Sequence, residues 1–191
     1  MQNPPSLHPK PTSELTRLPE YNWRRKFARL VLQWVERLLV VTRLRLTVRG
    51  LENFPACGPA LIVINHLGDA DIVVILSRLR TQEIDLLAAS NLYDLPTLRF
   101  AAEAYGVIWL HRGRPDRRAL NCALESLRPG RFVTIAPEGR ESVAGGLEQG
   151  LGGAAFLALH ADVPIVPIAV TGTENPRIYH GLFCWPRHPV S

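Results

Sequence analysis

Five short apolar runs restrict what this chain can fold into. They read ALIVI (60–64), EIDLLAAS (83–90), GVIWL (106–110), RFVTIA (131–136) and VPIVPIAV (163–170). Runs of that length suit strands, and an unbroken run such as ALIVI suits a central strand covered on both faces. Between them lie segments with helical apolar spacing: 70–79, LPTLRFAAEAY (95–105), RPDRRALNCALESL (114–127) and LEQGLGGAAFLALHA (147–161). The glycines of the last segment weaken it by about 1 kcal/mol each. Strands alternating with helices predict a single three-layer α/β domain over 43–191, with a mainly parallel central sheet flanked by helices. Pro164 and Pro167 lack the amide donor a central strand needs, so the last run belongs at an edge or in an irregular element. RLRLTV (43–48) alternates basic and apolar side chains, as an exposed or edge strand does.

The rest of the composition narrows the setting. At 191 residues, 47% hydrophobic and 20% charged, the chain is long and apolar enough for one folded domain. Cys57, Cys122 and Cys184 are odd in number and form no CxxC pair, which points to a reducing, cytoplasmic setting. The start, MQNPPSLHPKPTSELTRLPE (1–20), has no apolar core and reads as a loose, proline-rich leader rather than a signal peptide. The formal charge of +5 comes mostly from arginine and suits anionic lipid, phosphorylated small molecules or nucleic acid. No nucleic-acid-binding module is recognisable, so nucleic acid is not the expected partner.

No segment reaches the roughly 18–20 uninterrupted apolar residues of a membrane span. The nearest, WRRKFARLVLQWVERLLVV (23–41), lies within a predicted basic amphipathic helix over 21–42. Phe27, Leu30, Val31, Trp34, Val35, Leu38 and Leu39 form its apolar stripe. That stripe either covers the domain core or lies in a membrane interface, and periodicity does not choose between the two.

Chemistry concentrates where the runs end. Ligands of parallel sheets gather past the carboxyl ends of strands, and His66, Arg112 and Glu138 each stand just past one. In LIVINHLGDAD (61–71) the apolar run stops at Asn65 and His66, with Asp69 and Asp71 close behind. A neutral histidine can take a proton while a carboxylate orients its ring, and either aspartate qualifies. Five residues along a helix rotate about 140°, so His66 can meet Asp71 only from the turn before the helix. Asp69 would then be a local cap, with Gly68 permitting a difficult backbone conformation. These residues supply no complete metal-ligand set.

GVIWLHRGRPDRR gathers Arg112, Arg114, Arg117 and Arg118, and a guanidinium suits phosphate oxygens. Arg112 is the strand-end candidate of the four. In TIAPEGRES, Glu138 can orient a hydroxyl or hold an arginine, Gly139 permits a close turn, and Arg140 is a further phosphate contact.

Taken together, these stretches resemble the glycerolipid acyltransferases that acylate lysophosphatidic acid. NHLGDAD (65–71) is similar to their NHxxxxD signature, and GVIWLHR (106–112) to a second block ending in a substrate-binding arginine. APEGRES (136–142) resembles the block often written FPEGTRS, and VPIVPIAVTG (163–172) resembles the fourth. The resemblance covers roughly residues 28–175. It implies direct transfer of a fatty acyl group from acyl-CoA or acyl-carrier protein to the hydroxyl of a lysophospholipid, with 1-acylglycerol-3-phosphate as the leading acceptor. His66 would be the general base and Asp71 its partner. Asn65, Arg112, Glu138, Gly139 and Arg140 would bind substrate. No metal or other cofactor is implied, and the enzyme would sit peripherally on the cytoplasmic face of the membrane.

The chain departs from the family pattern at several positions. His111 stands where an aspartate is common, Arg140 and Glu141 replace threonine and arginine, and Glu148 replaces a basic residue. The C-terminus reads as short. These departures open two alternatives: another lyso-lipid or alcohol acceptor, and an inactive lipid- or protein-binding domain of the same fold.

Overall fold

The computed structural model describes residues 15–79, 81, 83–112, 116–174, 178 and 188–190. The predicted leader lies outside these residues up to 14. Where the described residues begin, the chain is packed: Thr16 is buried and donates its hydroxyl to the Trp109 carbonyl.

The elements follow the predicted order. Helix α1 spans Trp23–Arg43 and is followed by β1 (Leu44–Leu46), β2 (Ala60–Ile64) and α2 (Asp71–Leu76). Then come β3 (Ile84–Ala89), α3 (Pro96–Tyr105), β4 (Ile108–Leu110), α4 (Arg117–Leu127) and β5 (Phe132–Ile135). Helix α5 (Gly153–Ala161) and strands β6 (Ile165–Ile168) and β7 (His188–Val190) complete the series. Local chemistry sets several boundaries. The Asn22 side chain caps α1 by accepting from the Arg25 amide, and Pro96 opens α3 where its missing N–H costs nothing. Gly106, at φ +83°, ends α3 in the left-handed conformation.

Five strands form one parallel sheet in the order β4-β3-β5-β2-β6, and β1 pairs in parallel with β7 in a separate two-stranded sheet. β6 is an edge strand, which accommodates Pro167. Alternation along β2 divides the core: Ala60, Ile62 and Ile64 face α2 and α3, while Leu61 faces α4 and α5. The chain is therefore a single three-layer α/β domain. The predicted helix at 147–161 forms only from Gly153. Gly150, Gly152 and Gly153 lie close together there, and each loses more backbone entropy on entering a helix than another residue would.

Helix α1 is the element whose facing sequence periodicity left open. Its inward face carries Arg29, Gln33 and Val40, all buried, with Glu36 beside them. Arg29 donates to Asp85 and to the Tyr105 and Gly106 carbonyls, and Gln33 donates to the Thr81 carbonyl. Asp85 also holds Arg131 at 3.2 Å and accepts from the Ser126 hydroxyl, so one buried carboxylate ties α1, β3 and the α4–β5 junction together. The apolar stripe faces outward: Trp23, Phe27, Leu30, Trp34, Leu38 and Val41 are all exposed, Trp23 at 72% and Leu38 at 65%. Of the stripe, Leu39 packs against Val40, Leu44 and Val74, and the other six residues do not cover the domain core. No helix among the described residues is long and apolar enough to cross a membrane.

Candidate active site

His66 sits in the turn between β2 and α2, and Asp71 is the first residue of α2. The two therefore meet as the helical arithmetic requires, with His66 Nδ1 2.9 Å from Asp71 Oδ2. The same carboxylate oxygen accepts the main-chain amides of Leu67 (2.7 Å) and Gly68 (3.1 Å). One buried oxygen thus organises both the turn and the ring. Asp71 is 1% exposed and the His66 side chain 21%, so the imidazole keeps an open edge while its partner is shielded. Asp69 does not cap the helix, since α2 has no side-chain cap. Gly68 is required by space rather than by dihedral angle: a Cβ there would stand 2.4 Å from the Thr173 carbonyl oxygen.

Two connections join this turn to the other predicted blocks. The Asn65 side chain donates to the Val170 carbonyl and accepts the Val170 amide, both at 2.8 Å, locking the exits of β2 and β6 together. The Ser142 amide donates to the His66 carbonyl at 2.7 Å, which draws the loop after β5 over the dyad. Glu138 lies in that loop, past the strand between β2 and β3. It is 7% exposed, and neither carboxylate oxygen has a hydrogen-bond partner. Gly139 makes the turn at φ +70°, against the Leu151 side chain.

Arg140 points elsewhere. It pairs with Glu148, whose other oxygen accepts the amides of Val143 and Ala144 and the Ser142 hydroxyl. Two of the departures seen in sequence are therefore one exchanged pair that braces the loop, and those donors hold the Glu148 carboxyl below its ordinary value. Glu141 turns toward the dyad: its Oε1 lies 3.8 Å from His66 Nε2, and the Asp69 carboxylate acts on it. Burial and the Asp69 carboxylate push the Glu141 carboxyl upward, while His66 and the exposed Arg112 at the β4 exit pull it down.

His111 stands where the resembled motif commonly has an aspartate. It forms a second histidine–aspartate pair at the same spacing, with Nδ1 3.1 Å from Asp116 Oδ2 and its own amide bonded to that oxygen. Asp116 also caps α4 through the Ala119 amide. The signal was present: HRGRPD repeats the spacing of HLGDAD after another strand. Arg114 lies outside the described residues. Among the described residues no group of three or more His, Cys, Asp or Glu side chains is arranged to hold a metal ion. A cleft of about 500 Å³ runs along β6 between the 46–54 segment and α2, and its wall includes Val74, Ile75 and Val170 but not the dyad.

A family model described as Acyltransferase matches residues 45–171. The chain is 30% identical over 155 residues to the 1-acyl-sn-glycerol-3-phosphate acyltransferase BAT2, chloroplastic, of Brassica napus, covering 79% of this chain and 44% of that protein. It is 29% identical over 144 residues to the lyso-ornithine lipid O-acyltransferase of Pseudomonas aeruginosa, covering 75% of this chain and 54% of that protein. The chain thus spans about half the length of these relatives. Its fold matches the crystal structure of the 1-acyl-sn-glycerophosphate (LPA) acyltransferase, PlsC, of Thermotoga maritima with a TM-score of 0.61. That match has 24% identity and covers 81% of this chain and 63% of that one.

Proposed function

The chain belongs to the acyltransferase family, and from that premise we propose that it moves a fatty acyl group from acyl-CoA or acyl-carrier protein to the hydroxyl of a lyso-lipid at His66. The observation that carries this reading is the His66–Asp71 contact at 2.9 Å, made by a shielded carboxylate to a ring with an open edge. With Nδ1–H donating to Asp71, Nε2 keeps a lone pair for the acceptor hydroxyl. As Nε2 takes the hydroxyl proton, the oxygen attacks the thioester carbonyl and a tetrahedral oxyanion forms. The oxyanion collapses, the C–S bond breaks, and the imidazolium returns its proton to the departing thiolate. Asp71 supports the positive charge that His66 carries between those two steps. No covalent acyl-enzyme and no metal enter this sequence.

Arg112, Glu138 and Gly139 shape the acceptor side of the pocket in this reading. Asn65 acts by fixing the turn to β6, and Arg140 by bracing the loop. The apolar cleft whose wall includes Val170, the residue Asn65 holds, supports a path for an acyl chain beside the dyad. The family resemblance makes 1-acylglycerol-3-phosphate the first acceptor to test, and the similarity to a lyso-ornithine lipid O-acyltransferase brings in a second acceptor chemistry. The outward apolar face of α1, with Arg24 and Arg37 against its tryptophans, supports attachment to the cytoplasmic face of a membrane.

The test is a mass-resolved transfer assay pairing both donors with a panel of lyso-lipids and alcohols. Acylated product that depends on thioester and is lost in His66→Ala supports the reading. Lipid binding without turnover across the panel would replace it with a lipid-binding domain of the same fold.

A further inference from the structure

The cleft along β6 carries charge that the acyl-transfer reading leaves unused. Apolar side chains of α2, β6 and the 46–54 segment form most of its wall. Among the described residues that line it, the charged ones are Arg49 and Arg78 alone. No carboxylate of the described residues forms an ion pair with either guanidinium. Arg49 is exposed and Arg78 partly buried, and Arg78 Nε is shut off from solvent without a hydrogen-bond partner. A buried donor left unpaired is costly until an acceptor reaches it. The two ends of the cleft also differ. Val170, which Asn65 holds, stands at the dyad end, and Ile165 opens β6 at the other. Helix α2 runs back from Asp71 along this wall, so Arg78 lies roughly 10 Å further from the dyad along the helix axis.

An acyl chain that entered from the dyad and ended at Arg78 would set a methyl group against a guanidinium. A chain with an anionic end satisfies that group instead, while its apolar remainder covers the walls. The phosphate of a lyso-lipid acceptor does not reach Arg78, because it lies only a few bonds from the hydroxyl that His66 must meet. A carboxylate suits the place, since its two oxygens match the fork of one guanidinium. We propose that the cleft is a binding site for a long-chain fatty-acid anion. Its carboxylate sits on Arg78, with Arg49 adding charge, and its chain lies along β6 toward Val170. Charge complementarity selects this occupant, because no carboxylate of the lining opposes it. The site does not depend on transfer at His66. A fatty-acid anion seated there fills the path proposed for the acyl chain.

The experiment uses the whole chain as wild type, Arg78→Gln, Arg49→Gln, and Trp34→Glu combined with Leu38→Glu, each checked by thermal unfolding. Calorimetry reads the binding of decanoate, decyltrimethylammonium and acetate, all below micelle-forming concentrations. Wild type should bind decanoate about tenfold or more tightly than decyltrimethylammonium, and acetate not measurably. Arg78→Gln should remove most of that preference and Arg49→Gln part of it, while the double variant of α1 keeps it. No binding of decanoate, equal binding of the two amphiphiles, or acetate bound as tightly as decanoate overturns the proposal. A preference unchanged in both arginine variants also overturns it, and its loss in the α1 variant would then place the anion on the outward stripe beside Arg24 and Arg37.

Discussion

At the scale of single residues, the dyad and its turn share one oxygen, which makes charge and geometry separable. In Asp71→Asn the amide oxygen can still accept the Leu67 and Gly68 amides, so the turn persists while the negative charge is gone. Transfer should fall by about 10²–10⁴-fold in His66→Ala, with Asp71→Asn also impaired and the far-ultraviolet circular dichroism of both unchanged. Full activity in either would remove His66 and Asp71 as the base and its support. Gly68→Ala tests the neighbouring contact, since its Cβ would stand 2.4 Å from a main-chain oxygen that no rotamer can relieve. It should lower stability by about 1–3 kcal/mol in urea unfolding, with the denaturant slope unchanged. Much of this was legible in sequence. The abrupt polarity after ALIVI located the turn, and helical geometry favoured a His66 outside α2 for any partnership with Asp71. The reason for Gly68 was not legible, because Thr173 lies over a hundred residues away. Nor was the Arg140–Glu148 exchange, which is visible only once the loop closes on itself.

At the scale of elements, α1 shows why amphipathic periodicity gives a face but not its direction. Regular spacing of Phe27, Leu30, Trp34 and Leu38 would look the same packed inward or outward. What decides is the other face, where Arg29 and Gln33 have buried partners waiting on β3, α3 and the chain near Thr81. The outward stripe yields a direct test. Trp34→Glu with Leu38→Glu should abolish sedimentation with anionic vesicles and leave helix content intact; unchanged sedimentation would move lipid contact elsewhere on the protein. The inward face yields another. Burial pushes the Glu36 carboxyl up from 4.5 to about 8, so the folded chain holds that proton more tightly than the unfolded chain. The contribution is fully present below about pH 4.5 and is lost as pH rises toward about 8, by up to about 1.4 kcal/mol per pH unit. Glu36→Gln should flatten that decline in urea titrations run from pH 5 to 8.

At the scale of the whole molecule, the strand order could not be read from sequence, because the chain visits β2 first and sets it beside β5 and β6, which arrive last. Parallel pairing across such separations leaves no local trace. Only the strand ends announced their common site. Asn65 shows how the closure is held: Asn65→Ala leaves the amide and carbonyl of buried Val170 without their partner, at a cost of about 1–3 kcal/mol per group. Asp85 closes the opposite side, and Asp85→Ala, which strands buried Arg29, should cost about 3–5 kcal/mol in the same unfolding assay.

On the proposed attachment and activity, the outward stripe of α1 also changes what concentration means for this protein. A molecule held by that face at a bilayer meets its acceptor by lateral diffusion in a sheet, and the quantity that sets its rate is the mole fraction of acceptor in the leaflet. Adding inert lipid at constant acceptor would then slow the reaction, although nothing in the bulk solution had been diluted.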